Sequence, residues 1–417
     1  MTNTFLDLPG RATVDRKARH SWPCVYHFYE DPPVIARGDG AFLYDRLGKR
    51  YLDCYSGVGV MSAGHSRKEI VAAVAAQAAQ LQHTTSIYLS EPVWRLAEEL
   101  ARIAPGDLCR SFFCASGSEA NEASFLLAAL VTGRKDYIAF NGGLHGRTKA
   151  AMSATGLPVW RTDPDPLATF HHAPSPTDPS CLDGVETLLR RHEVAAVIIE
   201  PVQGNGGVIV PPGGFLSQLQ ALCRRHGSLL IFDEVQTGIN RTGHWFASEW
   251  SGVVPDVATV AKALGNGWPI AAALTTDALA AAYSRPGAST YGGNPMSCAA
   301  ALAVLALHER EQLGPRARCL GAWLRTALEE RLAGVASVGE IRGLGLMLGI
   351  EIVEPGGLPA PDALTKLLED LKDAGFLAGR TGKFRNVLTL MPPLVVEQDD
   401  LGDLVDAITD RLGFAAN

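Results

Sequence analysis

The chain has 417 residues, 47% apolar and 19% charged, a composition that excludes disorder and leaves room for roughly two or three hydrophobic cores. Its 37 basic and 44 acidic side chains give a net charge of −7, the wrong sign for a phosphate-backbone binder, so no nucleic-acid partner is expected. No apolar run approaches the about 18 residues of a membrane helix, and Met1 to Arg11 contain no apolar leader core, so a cytoplasmic enzyme away from membranes is the expectation.

In chain order, Ala41–Asp53 alternates like a hairpin folded about Leu47-Gly48. Apolar runs follow at Cys109–Cys114, Asp136–Phe140, Val194–Ile199, Ser228–Phe232 and Val257–Val260. Helical patterns at Ser118–Val131, Cys181–His192 and Gly214–His226 lie between several of them. Strand alternating with helix predicts an α/β fold whose mainly parallel sheet has helices on both faces. Two long helices near Met296–Gln312 and Arg316–Leu332 come next, then a strand-like stretch at Gly339–Val353. A helix near Asp362–Ala374, a strand at Val387–Leu390 and a last helix complete an α+β tail. The expected division is residues 1–60 in a smaller unit shared with 298–417, around a large unit of 61–297. The eight cysteines form no C-x-x-C pair and read as small buried hydrophobes. His171 and His172 are adjacent and diverge on a strand, and no metal-ligand motif is present, so no metal is expected.

In parallel sheets of this kind ligands sit beyond the carboxyl ends of the strands. Four such ends carry polar residues that a packed core would not choose. Cys114-Ala115-Ser116-Gly117-Ser118-Glu119 turns from strand to helix, either as a phosphate cradle or as a Ser N-cap with its capping-box Glu. Glu200 follows one buried strand directly, and Asp233-Glu234-Val235-Gln236 follows the next. The adjacent acids suggest a metal site or a cofactor-nitrogen partner, against the plainer reading of a solvated loop. Lys262 stands between an apolar strand and a Gly-rich turn, where poor solvation makes an amine nucleophilic unless it snorkels to water. Phosphate cradle, then acid, then lysine is the equipment for pyridoxal 5'-phosphate.

With these segments in this order, the sequence resembles the class III aminotransferases, fold-type I pyridoxal-phosphate enzymes that include ornithine and 4-aminobutyrate aminotransferases. Gly57-Val58-Gly59-Val60, His145-Gly146-Arg147-Thr148, Ser289-Thr290-Tyr291-Gly292-Gly293-Asn294-Pro295 and Arg342-Gly343-Leu344-Gly345 extend the resemblance from about Ala41 to the C-terminus. It implies a large unit with a seven-stranded sheet and a smaller α+β unit from both termini. It further implies that Lys262 forms the Schiff base and shuttles a proton while Asp233 pairs with the pyridine nitrogen. Gln236 would face the phenolic oxygen, Val235 one ring face, and Gly117 and Ser118 the phosphate. Thr290 would reach the phosphate of a neighbouring subunit, making a homodimer the minimum unit, with a dimer of dimers left open. Leu144, His145 and Glu200 would stand around the cofactor; Arg147 and Ser289 would stand near the substrate, Arg147 holding a carboxylate.

Departures from the family pattern sharpen the reading. Leu144 replaces the usual stacking aromatic, giving up about 0.5–1.5 kcal/mol of ring contact. Thr389 stands where many relatives grip an α-carboxylate with arginine, so Arg147, Arg380 or Arg385 must anchor the acceptor, or the substrate lacks that group. The threonine is expected to face a neutral or differently charged part of the substrate. Asn240, at a position where Gly is usual, is expected to tolerate left-handed backbone. The expected reaction is transfer of an amino group from a primary amine, ω-amino acid or amino acid donor to a small 2-oxo acid or aldehyde acceptor. The alternative is a lyase that eliminates ammonia, and phosphate, from a phosphorylated or phosphonate amino alcohol. A cofactor-free binding protein fits poorly with intact Lys262, Asp233 and Gln236.

Overall fold

A computed structural model describes residues 10–413. The opening residues, on which the expectation about a leader rests, lie mostly outside them. Strands β1 (Ile35–Asp39), β2 (Phe42–Asp45) and β3 (Arg50–Asp53) form an antiparallel meander, with the β2–β3 turn where Leu47-Gly48 predicts it. The main sheet contains β4 (Arg110–Cys114), β5 (Asp136–Phe140), β6 (Phe170–Ala173), β7 (Val194–Ile199), β8 (Leu229–Asp233), β9 (Val257–Val260) and β10 (Ala271–Thr275). Their spatial order is β4-β10-β9-β8-β7-β5-β6, seven strands of which only β10 runs antiparallel to its neighbours. Burial explains the continuous apolar runs: every residue of β7 and β9 is buried, and helices cover both faces.

The stretch Gly339–Val353 is a hairpin of two strands, β11 (Val338–Leu344) and β12 (Met347–Ile352), because Gly345 turns the chain with φ +55°. The short strand β13 (Phe376–Leu377) runs parallel to β3, and β14 (Gly379–Thr381) and β15 (Val387–Leu390) continue the β11–β12 sheet. One core cluster accordingly joins Tyr29, Tyr51 and Leu52 near the N-terminus to Leu348, Leu388 and Leu404 near the C-terminus. Arg241, fully buried, ties this part to the main sheet by donating to the carbonyls of Leu346 and Pro392 and to Ser62 Oγ. Asn240 beside it has φ +68°, the left-handed backbone expected of it. Among the described residues no helix is long and apolar enough to cross a membrane.

Candidate active site

The carboxyl ends of β4, β5, β7, β8 and β9 converge on one cleft of about 1020 Å³, including its open mouth. Gly117, Ser118, Leu144, His145, Arg147, Glu200, Asp233, Val235, Gln236 and Lys262 all line it. Ser289 and Thr290 do not: Ser289 closes a turn by accepting from the Gly292 N–H, and Thr290 is exposed.

Lys262 begins a 3-10 turn directly after β9, in left-handed backbone with φ +45°. A non-glycine residue there is strained and must be held by its surroundings. Asn266, four residues on and also left-handed, accepts from the Ala63 N–H at 2.9 Å and donates to the Gly64 carbonyl at 2.9 Å. That buried amide fastens the lysine turn to the Gly57–His65 segment. Burial lowers the pKa of the Lys262 amine, and the negative charges of Asp233 and Glu200 oppose the shift only in part.

Asp233 ends β8, and four donors meet its carboxylate. Asn121 Nδ2 and His145 Nδ1 each lie 2.8 Å from Oδ2; the Val235 N–H lies 3.1 Å and Thr259 Oγ1 3.5 Å from Oδ1. Asn121 also donates to the His145 carbonyl at 2.7 Å and accepts from Thr259 at 2.9 Å, so three elements lock one another. Asn121 sits one turn inside the helix Gly117–Thr132, a buried amide that carries no motif signal of its own. Its place on the inward face of a strand-end helix was the available clue.

Glu200 accepts from the Leu144 N–H at 2.8 Å and the Gly204 N–H at 3.0 Å, and burial lifts its pKa to about 7. The neighbouring acid Glu234 turns away from the cleft. It accepts from the Ala247 and Ser248 N–H groups, at 3.0 and 2.8 Å, and from the Thr237 hydroxyl, so it is a structural acid. Burial raises it to about 7, above the ordinary 4.5, so the folded state binds the extra proton and Glu234 loses stabilising effect as pH rises between those values. Glu234→Gln should therefore melt below wild type at low pH, and the gap should narrow from about pH 4.5 to about 7 in thermal scans.

The helix start carries the cap read from its sequence. Ser116 caps it by accepting from the Glu119 N–H at 3.3 Å, while Glu119 reaches back to the Ala115 N–H at 2.9 Å. The first N–H groups of such a helix have no carbonyl partner within it. Gly117 is needed there because a Cβ would meet the Val235 side chain at 2.8 Å. Ser118 Oγ accepts from the Arg147 N–H at 3.0 Å and fixes the next loop. Gln236 donates to Met391 Sδ at 3.6 Å, and its buried Oε1 has no partner among the described residues. Only glycine fits opposite it, since a Cβ on Gly204 would stand 1.6 Å from that oxygen.

Thr389 corrects an expectation. It is fully buried in β15, its hydroxyl 2.6 Å from Thr381 Oγ1, and it does not line the cleft. The short side chain stays within the sheet, where a cross-strand hydroxyl satisfies it. Thr389→Val should consequently cost about 1–3 kcal/mol of stability through the stranded Thr381 hydroxyl, while kcat/KM changes less than about tenfold. A row of rings and guanidinium groups instead starts from Arg147, which lines the cleft. Trp160, Tyr26, Phe28 and Tyr55 follow one another with centroids 6.1, 5.8 and 5.9 Å apart. Arg147 lies over Trp160, Arg385 over Tyr26 and Arg380 over Phe28, at 6.0, 5.1 and 5.8 Å. None of the three arginines pairs with a carboxylate among the described residues, and Arg380 Nε is buried without a partner.

Residues 27–412 match the model of the family "Aminotransferase class-III". The chain is 40% identical over 390 residues to an acetylornithine aminotransferase of Methanothermobacter thermautotrophicus, covering 93% of this chain and 94% of that one. It is 36% identical over 400 residues to a mitochondrial alanine–glyoxylate aminotransferase 2 homolog of Arabidopsis thaliana, covering 93% and 84%. Its fold superposes on an (S)-enantioselective omega-transaminase of Thermomicrobium roseum with a TM-score of 0.91 and 30% identity, over 99% and 100% of the two chains. The matched relatives are aminotransferases, and elimination of ammonia gains no support from them. A buried amine, a four-times-bonded acid and a helix-start cradle in one cleft thus belong to a member of the class-III aminotransferases, an enzyme that transfers amino groups with pyridoxal 5'-phosphate.

Proposed function

We propose that this aminotransferase acts on carboxylate-bearing partners, an amino acid or ω-amino acid as donor and a small 2-oxo acid as acceptor, with Lys262 and Asp233 at the centre of the reaction. The carrying observation is one cleft that joins a buried amine and a buried acid to Arg147, the first of three arginines that stand along one row of rings without a carboxylate partner among the described residues. The names of the relatives, acetylornithine and alanine–glyoxylate aminotransferases, agree with carboxylate substrates.

The cleft fits the cofactor on its own features. The Gln236 amide is buried on the cleft wall with one polar atom unpartnered among the described residues, and the helix start at Gly117 and Ser118 on the same wall has N–H groups without a carbonyl partner in the helix. Lys262 would carry the cofactor, Asp233 its ring nitrogen, Gly117 and Ser118 its phosphate. Val235 and Leu144 would flank the ring, and Gln236 its phenolic oxygen. His145 would act through Asp233 and Glu200 through the Leu144 backbone. Bound there, pyridoxal phosphate supplies an electron sink for the pair left when a proton departs from the substrate carbon. The chain supplies the rest. Lys262 Nζ, its pKa lowered by burial, takes and returns that proton. The ring of donors around Asp233 keeps its carboxylate aimed. Arg147 on the cleft wall orients the substrate by its carboxylate, a charge-assisted contact worth about 1.5–3 kcal/mol.

The test is a donor–acceptor screen that compares N-acetylornithine, ornithine and β-alanine with the neutral amine 1-phenylethylamine, against pyruvate, glyoxylate and 2-oxoglutarate. Acid donors should dominate, and Arg147→Ala should lower kcat/KM for them by about 10–100-fold, mainly through KM. Equal use of the neutral amine together with an indifferent Arg147→Ala would remove the carboxylate reading.

A homodimer accompanies this proposal. Ile87, Tyr88 and Leu89 are 82%, 68% and 97% exposed, and His83 contacts Tyr291 across to the Thr290 loop with rings 5.4 Å apart. So large an apolar surface beside Thr290 suits burial against a second copy, in which Thr290 would reach the partner's phosphate site. Sedimentation of active enzyme should report a dimer or a multiple of it; an active monomer would leave Thr290 a turn residue.

A further inference from the structure

At the opposite edge of the main sheet from the cleft, three side chains far apart in sequence meet. Asp136 opens β5, His171 lies in β6, and His192 follows the helix Cys181–Arg191 just ahead of β7. His171 Nε2 stands 3.1 Å from Asp136 Oδ1, and the His171 and His192 rings stack with centroids 3.7 Å apart and planes 22° from parallel. One ligand atom from each residue lies within 4.8 Å of the other two, and all three residues are half-buried. The neighbouring His172 points the other way, to the Ala154 carbonyl, so the divergence of the two adjacent histidines is what frees His171 for this cluster.

We infer that Asp136, His171 and His192 form a binding site for a divalent transition-metal ion of the zinc type, independent of the transamination site. The ligand chemistry selects that class: two imidazoles and one carboxylate suit Zn²⁺, Co²⁺ or Ni²⁺ and not the all-oxygen preference of Ca²⁺ or Mg²⁺. A proton shared between His171 and Asp136 answers one contact only. The His192 ring makes no hydrogen bond among the described residues and is left as a lone-pair donor against the same carboxylate. Metal–ligand bonds of about 2.0–2.2 Å put tetrahedral ligand atoms about 3.3 Å apart. The side chains must therefore close by at most ~1.5 Å, and one imidazole must turn out of the stack by a χ2 rotation, because the in-plane lone pairs of near-parallel rings run side by side; water completes the shell. Occupancy would staple the edge strand β6 to the start of β5 and to the turn before β7. Edge strands gain most from such a tie.

The experiment uses untagged, chelator-treated holoenzyme titrated with Co²⁺ and then with Zn²⁺. One Co²⁺ per chain should develop visible d–d absorption, Zn²⁺ should displace it, and Zn²⁺ should raise the melting temperature. His192→Ala and Asp136→Asn should each weaken binding by about tenfold or more, with the kcat/KM of transamination unchanged. His192 belongs to a turn, so its variant keeps the test sound even if a change in β6 fails to fold. Co²⁺ spectra and affinity untouched by His192→Ala, or no saturable binding at one equivalent, would overturn the site. The transamination readout separates that result from any failure of the catalytic proposal.

Discussion

Lys262→Ala is expected to abolish transamination, lowering turnover by more than about 10⁴-fold, and to remove the visible absorption that the cofactor takes from its attachment to the enzyme. Two functions leave together: the amine that would hold the cofactor and the base that would move the proton. The fold supports a specific role for this amine. Its backbone occupies a strained φ of +45°, the turn is pinned through Asn266, and burial holds its pKa down. A structural lysine would need none of these. Lys262→Arg serves as the companion variant, because a guanidinium keeps the charge yet neither loses a proton nor forms the same bond. Both variants should stay dead while circular dichroism matches wild type. Multiple turnovers by either would force the catalytic base elsewhere, with Glu200 the next group in the cleft.

Much of this was legible in the sequence because strand ends in a parallel sheet expose whatever follows them. The β8 and β9 runs are apolar without interruption, so Asp233 and Lys262 stood out as residues with no reason to be in a core. The partners of those residues were not legible. Asn121 and His145 reach Asp233 from 112 and 88 residues away, and only the closing of the sheet brings them together. Glu234 looked as eligible as Asp233. Alternation along the strand end decides between them, sending one carboxylate into the cleft and the other to the Ala247 and Ser248 amides. Thr389 misled for a related reason. Relatives carry a long arginine at this position, which points the expectation toward the substrate, yet a threonine is too short to leave the sheet and bonds across it. The Asp136–His171–His192 cluster shows the same limit from the other side, since ligands on three elements leave no spacing to read.

Asp233→Asn should leave the fold and the cofactor's attachment intact while slowing turnover by at least about 100-fold. The change swaps one oxygen for an NH₂ and removes the negative charge, and each part has its own consequence. Electrostatically, a neutral amide cannot hold a proton on a ring nitrogen, so the electron sink weakens; losses of about 10²–10³ follow removal of one preorganised group in a water-poor site. Locally, the retained oxygen can still accept from the Val235 N–H, but the new NH₂ faces Asn121 Nδ2 at a former 2.8 Å contact. Two donors then oppose each other, while His145 can answer by shifting its proton to Nε2, an atom with no partner among the described residues. The variant should therefore bind cofactor, keep the absorption that depends on Lys262, and fail at proton removal, with a deuterium isotope effect on the substrate carbon larger than in wild type. Asn121→Ala provides the graded control: it removes one of the two short donors to Oδ2 without touching the charge, so its loss of rate should be smaller than that of Asp233→Asn. Wild-type rates in Asp233→Asn would transfer the role to Glu200, the other buried acid of the cleft, and the Asn121 network would then be a structural brace alone.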